Sequence, residues 1–89
     1  MSWEYQFERE ALRELRRLDH EAQGRIIRFL DTRIAGPDDP RRFGQSLRGE
    51  LFGLWRWRVG NYRIIGRVKE TVVLVQIVRV GHRKDVYDV

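Results

Sequence analysis

Near the end of the chain, the stretch GHRKDVYDV gathers the side chains that proton transfer at a phosphate needs: His82, Arg83, Lys84, Asp85 and Tyr87. Histidine titrates near neutral pH, arginine is a fixed cation with a planar fork, and tyrosine joins an aromatic ring to a hydroxyl. A second set lies upstream in LWRWRVGNYRIIGR, residues 54–67, where Arg56, Arg58, Arg63 and Arg67 interleave with bulky apolar residues. Arginines two apart on a strand share a face, and their bidentate donors match phosphate oxygens. These residue types fit a polyanion site, with acid–base chemistry wherever His82 and Tyr87 reach it. The plainer reading makes His82 structural, Tyr87 a terminal anchor for the core, and the arginines a solvated surface.

The elements that must position these residues follow from periodicity. Trp55, Trp57 and Val59 alternate with the arginines, the pattern of a strand with one buried face. Gly60-Asn61 fits a two-residue hairpin turn. It sets Val59 opposite Tyr62, Arg58 opposite Arg63, Trp57 opposite Ile64 and Arg56 opposite Ile65. Trp55, Trp57, Val59, Tyr62, Ile64 and Val68 then share the core face, and Arg56, Arg58, Arg63 and Arg67 share the other. With Lys69-Glu70 as the next turn, Gln76 falls beside Arg63 on the arginine face. Two like charges on one rung are unfavourable unless an anion sits between them. That favours a phosphate-binding surface, with a solvated outer face as the alternative.

Upstream, Trp3, Tyr5 and Phe7 alternate with polar residues and predict a short first strand. From Glu8 the period changes: Ala11, Leu12, Leu15 and Leu18 predict a helix. Asp19 caps a second helix whose apolar stripe runs through Ile26, Ile27, Phe29, Leu30 and Ile34 until Gly36-Pro37 stops it. The short link between them predicts an antiparallel helix hairpin. Residues 36–46 read as a polar loop, followed by strands at about 50–59, 62–68 and 71–80, the last broken by Gly81. The order is βααβββ, an α+β fold with a two-helix N-terminal hairpin packed on a twisted antiparallel sheet.

Composition sets the bounds. The 89 residues fit one domain spanning 1–89, with 42% hydrophobic residues to build its core. The absence of cysteine excludes disulfides and Cys-type zinc sites, and fits a reducing, cytoplasmic setting. The N-terminus has no apolar run of the signal-peptide kind, and no apolar stretch reaches membrane-spanning length. The net charge of +5 resides in residues 36–89, where eleven basic residues oppose six acids (11 − 6 = +5). A polyanion is the partner this charge suits.

Three segments carry a family resemblance: Leu47-Arg48-Gly49, the hairpin ending in Tyr62-Arg63-Ile64, and Val80-Gly81-His82-Arg83-Lys84-Asp85-Val86-Tyr87. Together with the opening strand and the charged helix pair, they make nearly the whole chain resemble the RelE/ParE superfamily of bacterial toxins, in particular its RelE branch. The resemblance implies a type II toxin–antitoxin toxin that cuts messenger RNA in the ribosomal A site. There the RNA's own 2′-hydroxyl attacks the adjacent phosphorus and leaves a 2′,3′-cyclic phosphate, with no metal or other cofactor. The implied partners are a cognate antitoxin, in a toxin–antitoxin hetero-oligomer, and the 70S ribosome with its mRNA, with no membrane.

Position by position, the resemblance makes Arg63 and Arg83 the binders of the scissile phosphate. Tyr87 stacks on a base or orients the attacking hydroxyl, and Arg56 takes the place of a basic strand residue that stabilises charge. Arg48, Arg58, Arg67, Gln76 and Lys84 flank them as RNA-binding residues. Leu54 stands where the best-known members carry a second lysine, and arginine is a poor base. His82 or Tyr87 is therefore the candidate general base. Two other functions share the fold: a ParE-like inhibitor of DNA gyrase, and an RNA- or ribosome-binding module without catalysis.

Overall fold

A computed structural model of the chain describes residues 2–82. Its elements are strand β1 (Glu4–Phe7), helices α1 (Arg9–Arg17) and α2 (His20–Phe29), and strands β2 (Gln45–Ser46), β3 (Trp55–Val59), β4 (Tyr62–Lys69) and β5 (Leu74–His82). All five strands form one sheet in the order β1-β5-β4-β3-β2. The expected α+β arrangement of two helices on a sheet is present, with three differences that affect the site.

First, the sheet is mixed. β1 runs parallel to β5, pairing Tyr5 with Val75 and Phe7 with Ile77. A strand joined to the rest of its sheet through helices is free of the hairpin constraint that forces antiparallel pairing. Second, the predicted loop contributes a two-residue strand, β2, on the far edge, and the segment expected to open the next strand is instead a 3-10 turn over Gly49–Leu51. Third, the link after β4 is longer than two residues. A 3-10 turn covers Glu70–Val72, and Val73 adopts the left-handed conformation at φ 53°. This shifts the register, and Gln76 pairs with Arg67 rather than standing beside Arg63.

The β3–β4 hairpin has the predicted register throughout, from Val59↔Tyr62 to Arg56↔Ile65. Gly60 supplies the positive φ of 59° that its turn demands. Gly81 does not end the last strand, because it continues the ladder opposite Arg63 and β5 runs on to His82. The β4–β5 ladder shifts between Ile65 and Gly66, leaving Val78 as an extra residue. Such a bulge reverses which face later side chains take. Val75 and Ile77 are in the core, and so is Val80 instead of residue 79.

The helices form as their patterns require. Asp19 caps α2 by accepting a hydrogen bond from the Ala22 amide at 2.8 Å. The apolar stripe continues past α2 through a π-helical turn, Leu30–Ile34, that keeps Leu30 and Ile34 buried. Ala11, Leu15, Ile26, Leu30 and Ile34 pack on Trp57, Val59, Ile64, Val75, Ile77 and Val80. Trp57 is the pivot of this core. Its indole nitrogen donates to the Pro40 carbonyl at 2.9 Å, and its ring lies against Gly44 and Gly66.

Candidate nucleic-acid interface

With Trp57, Val59 and Ile64 turned into the helix-side core, strand alternation forces Arg56, Arg58, Arg63 and Arg67 onto the opposite face. Arg58 and Arg63 are ladder partners, with Cα atoms about 5 Å apart in such a pair. On its other flank Arg63 pairs with Gly81, so β5 adds no side chain on that rung. Arg56 and Arg63 are only 5% and 6% exposed, while Arg58 and Arg67 are exposed. Arginine stays charged throughout the physiological range, so these are fixed cations held in the sheet surface. The Arg56 Nη2 donates to the Gln45 side-chain oxygen, across the β2–β3 ladder that pairs the two residues. Sequence reasoning missed Gln45, because a two-residue strand has no periodicity to mark it.

The arginine face is interrupted. Ile65 lies between Arg63 and Arg67 along β4 and is 2% exposed, covered by Leu47 with Leu51, Leu54 and Val78 packed around them. The segment from Leu47 to Leu54 folds across this face, closed by the Leu47 amide donating to the Leu54 carbonyl at 3.0 Å. Arg56, Arg58 and Arg63 therefore gather at the hairpin end. Arg67 and Gln76 share another rung, with Arg67 about 13 Å from Arg63 at ordinary strand rise. Arg48 is exposed on the covering segment, where it lines a groove of about 420 Å³ with Gln45, Ser46, Leu47 and Gly49.

His82 occupies a different place from the arginines. It pairs with Tyr62, and the two rings meet edge-on at 5.7 Å between centroids. Tyr62 packs on the helix-side core, and His82 lines a groove of about 220 Å³ with Glu14, Arg17, Leu18, Val80 and Gly81. The bulge at Val78 sets this side. Without the extra residue, simple alternation from Ile77 would put His82 on the arginine face. Arg83, Lys84 and Tyr87 lie outside the described residues. Among the described residues, no three His, Cys, Asp or Glu side chains stand together as a metal site.

The neighbouring loop uses its cations structurally. Arg41 bridges Asp39 at 2.7 Å and Glu70 at 3.0 Å, tying the loop to the turn after β4. The hydrogen bond from Arg41 holds the Asp39 carboxyl below the usual range, and the bonds to Asp39 and then Glu70 raise the Arg41 guanidinium further. Arg33 and Arg42 both stack over Phe43.

Comparison with known proteins agrees with this architecture. Residues 5–87 match the model of the family described as the ParE toxin of the type II toxin–antitoxin system parDE. The chain is 32% identical to toxin RelG of Mycobacterium tuberculosis over 87 residues, covering 98% of each protein. It is 30% identical to toxin RelE of the same organism over 79 residues, covering 86% of this chain and 77% of that toxin. Among solved structures, a chain of the toxin–antitoxin complex RelBE2 from M. tuberculosis superposes with a TM-score of 0.85 at 30% identity, over 93% of this chain and 100% of that one. The described residues hold no helix long and apolar enough to cross a membrane. On the family match and these identities, the chain belongs to the RelE/ParE superfamily of type II toxin–antitoxin toxins.

Proposed function

We propose that the protein is a ribosome-dependent endoribonuclease of the cytoplasm that cleaves mRNA in the A site and is held in check by a cognate antitoxin. The observation that carries this reading is the placement of Arg63, nearly buried and flanked by Arg58 and Gly81 on the face the helices leave uncovered. A guanidinium held at the sheet surface offers the planar two-point contact that suits a phosphate that must sit at one angle. Similarity to a chain of the toxin–antitoxin complex RelBE2 supports the antitoxin partner.

In this mechanism the 2′-hydroxyl oxygen bonds to the adjacent phosphorus and the P–O5′ bond breaks. Arg63 and Arg83 bind the phosphate and offset the charge that grows on its oxygens. Arg56, held by Gln45, adds a second fixed cation on the same side. Arg48, Arg58, Arg67, Gln76 and Lys84 hold the strand on either side of the break. The 2′-hydroxyl proton goes to the neutral His82 imidazole or to the Tyr87 phenolate, and the leaving 5′-oxygen takes a proton from solvent. His82 stands one residue beyond the glycine that faces Arg63, on the helix side.

The matching family model carries the ParE name, which favours a second reading, inhibition of DNA gyrase without RNA chemistry. One preparation tested in both assays separates them. Cleavage of mRNA on programmed ribosomes with unchanged gyrase supercoiling supports the nuclease. Loss of supercoiling with intact mRNA replaces it with the gyrase reading.

A further inference from the structure

β5 is unevenly supported. On one side β4 pairs with it through to His82. On the other side β1 stops at Phe7, opposite Ile77, with a last backbone bond from the Glu8 amide to the Ile77 carbonyl at 2.8 Å. Past Ile77, no strand among the described residues pairs with β5 on that edge, and the bulge at Val78 interrupts the other ladder there. This stretch of β5 carries His82 at its end.

Glu14 of α1 stands where β1 leaves off. Its Oε1 accepts the Val80 amide hydrogen at 2.9 Å, and its Oε2 accepts from Arg79 Nε at 2.9 Å. One carboxylate thus holds both the backbone and a side chain of the strand end. The Glu14 side chain is only 18% exposed, so water competes weakly for these bonds. Charge-assisted bonds of this kind are stronger than the neutral ladder bonds they replace.

We propose that Glu14 is a positioning residue: it takes the place of a strand partner for Val80 on the β1 edge, and so fixes where β5 delivers His82. The consequence for cleavage rests on the nuclease reading, while the anchoring does not. The effect belongs in kcat rather than KM, because Glu14 itself contacts no RNA in this mechanism. The Glu14→Gln variant keeps one carbonyl acceptor for Val80 and loses the acceptor for Arg79.

The test combines amide hydrogen exchange with cleavage kinetics on programmed ribosomes, using the purified full chain, Glu14→Ala and Glu14→Gln. The expected result is exchange at Val80 and Gly81 at least tenfold faster in Glu14→Ala, with β3 and α2 amides unchanged. Cleavage should fall at least tenfold in kcat at constant KM, with partial rescue in Glu14→Gln. If Glu14→Ala fails to fold, Glu14→Gln against the parent protein carries the same comparison. Unchanged exchange at Val80, or faster exchange spread over the whole sheet, overturns the proposal. So does localised loosening with full kcat. A parent protein that cuts no mRNA while the variant loosens only Val80 and Gly81 refutes the nuclease reading and supports the anchor.

Discussion

Arg58 and Arg63 face each other on one rung of the β3–β4 ladder, a like-charge pair directly across the sheet. A sheet surface selected for stability alone would place opposite charges there, since such pairs differ by about 0.2–1 kcal/mol in either direction. Arg58→Ala should therefore stabilise the fold by up to about 1 kcal/mol in urea unfolding while weakening RNA binding. If Arg58 contacts phosphate, the slope of log affinity against log salt should fall by about 1. A variant that loses stability and keeps its salt dependence makes this pair a packing feature.

Arg63 has a sharper expectation. Arg63→Ala should reduce kcat about 10²–10³-fold, the usual cost of removing one preorganised donor to a developing oxyanion. Arg63→Lys should rescue little, because an ammonium cannot reproduce the planar two-point contact. Single-turnover cleavage on ribosomes measures both. Full rescue by lysine would mean that only charge matters at this position.

The proton acceptor is decided by a pH profile. With His82 as base, the acid limb of the kcat profile disappears in His82→Gln and activity collapses. With Tyr87 as base, the limb survives in His82→Gln and disappears with the activity in Tyr87→Phe. The helix-side placement of His82 against Tyr62 makes this comparison decisive for how the RNA approaches.

Tyr5 supplies a test of the fold at high pH. Its hydroxyl donates to Asp31 at 2.7 Å, and burial, then that bond, pushes its pKa up to about 12. Unfolded tyrosine ionises near about 10. The folded value is the higher one, so this stabilisation is complete below about pH 10 and is lost as pH rises toward about 12. Thermal melting between those values should fall more steeply in the parent chain than in Tyr5→Phe. Parallel curves would show that the Tyr5 hydroxyl adds nothing to stability.

Gly44 tests how tightly the core grips Trp57. An added Cβ there would come within 2.7 Å of the indole nitrogen that donates to Pro40. Gly44→Ala should cost about 1–3 kcal/mol in denaturant unfolding, the usual range for overpacking. A neutral result would show that the loop moves away at no cost.

Much of this was legible in the sequence, for physical reasons. The Gly60-Asn61 turn and the Trp-Arg alternation fix a register with no freedom, because a slip would exchange tryptophans for arginines on the core face. Asp19 and the stripe through Ile34 mark the second helix and its continuation in the same way. The placement of Gln76 was not legible. A left-handed Val73 is unusual for a β-branched residue, and nothing in Lys69-Glu70 announces a longer turn. The bulge at Val78 is equally silent, since a run of valines and isoleucines tolerates either face. That silence conceals the side His82 takes. The cover over Ile65 was hidden too, because Leu47, Leu51 and Leu54 follow no strand or helix period.

Ribosome-dependent cleavage is tested most sharply by the chemistry of the RNA ends. Purified toxin is mixed with ribosomes carrying a defined message and an empty A site, and the 3′ ends are mapped with naked RNA and Arg63→Ala as controls. The proposed mechanism predicts cuts in phase with the A-site codon, ending in 2′,3′-cyclic phosphate, present only on ribosomes and lost in Arg63→Ala. Intact message, or cuts that persist in Arg63→Ala, would contradict it.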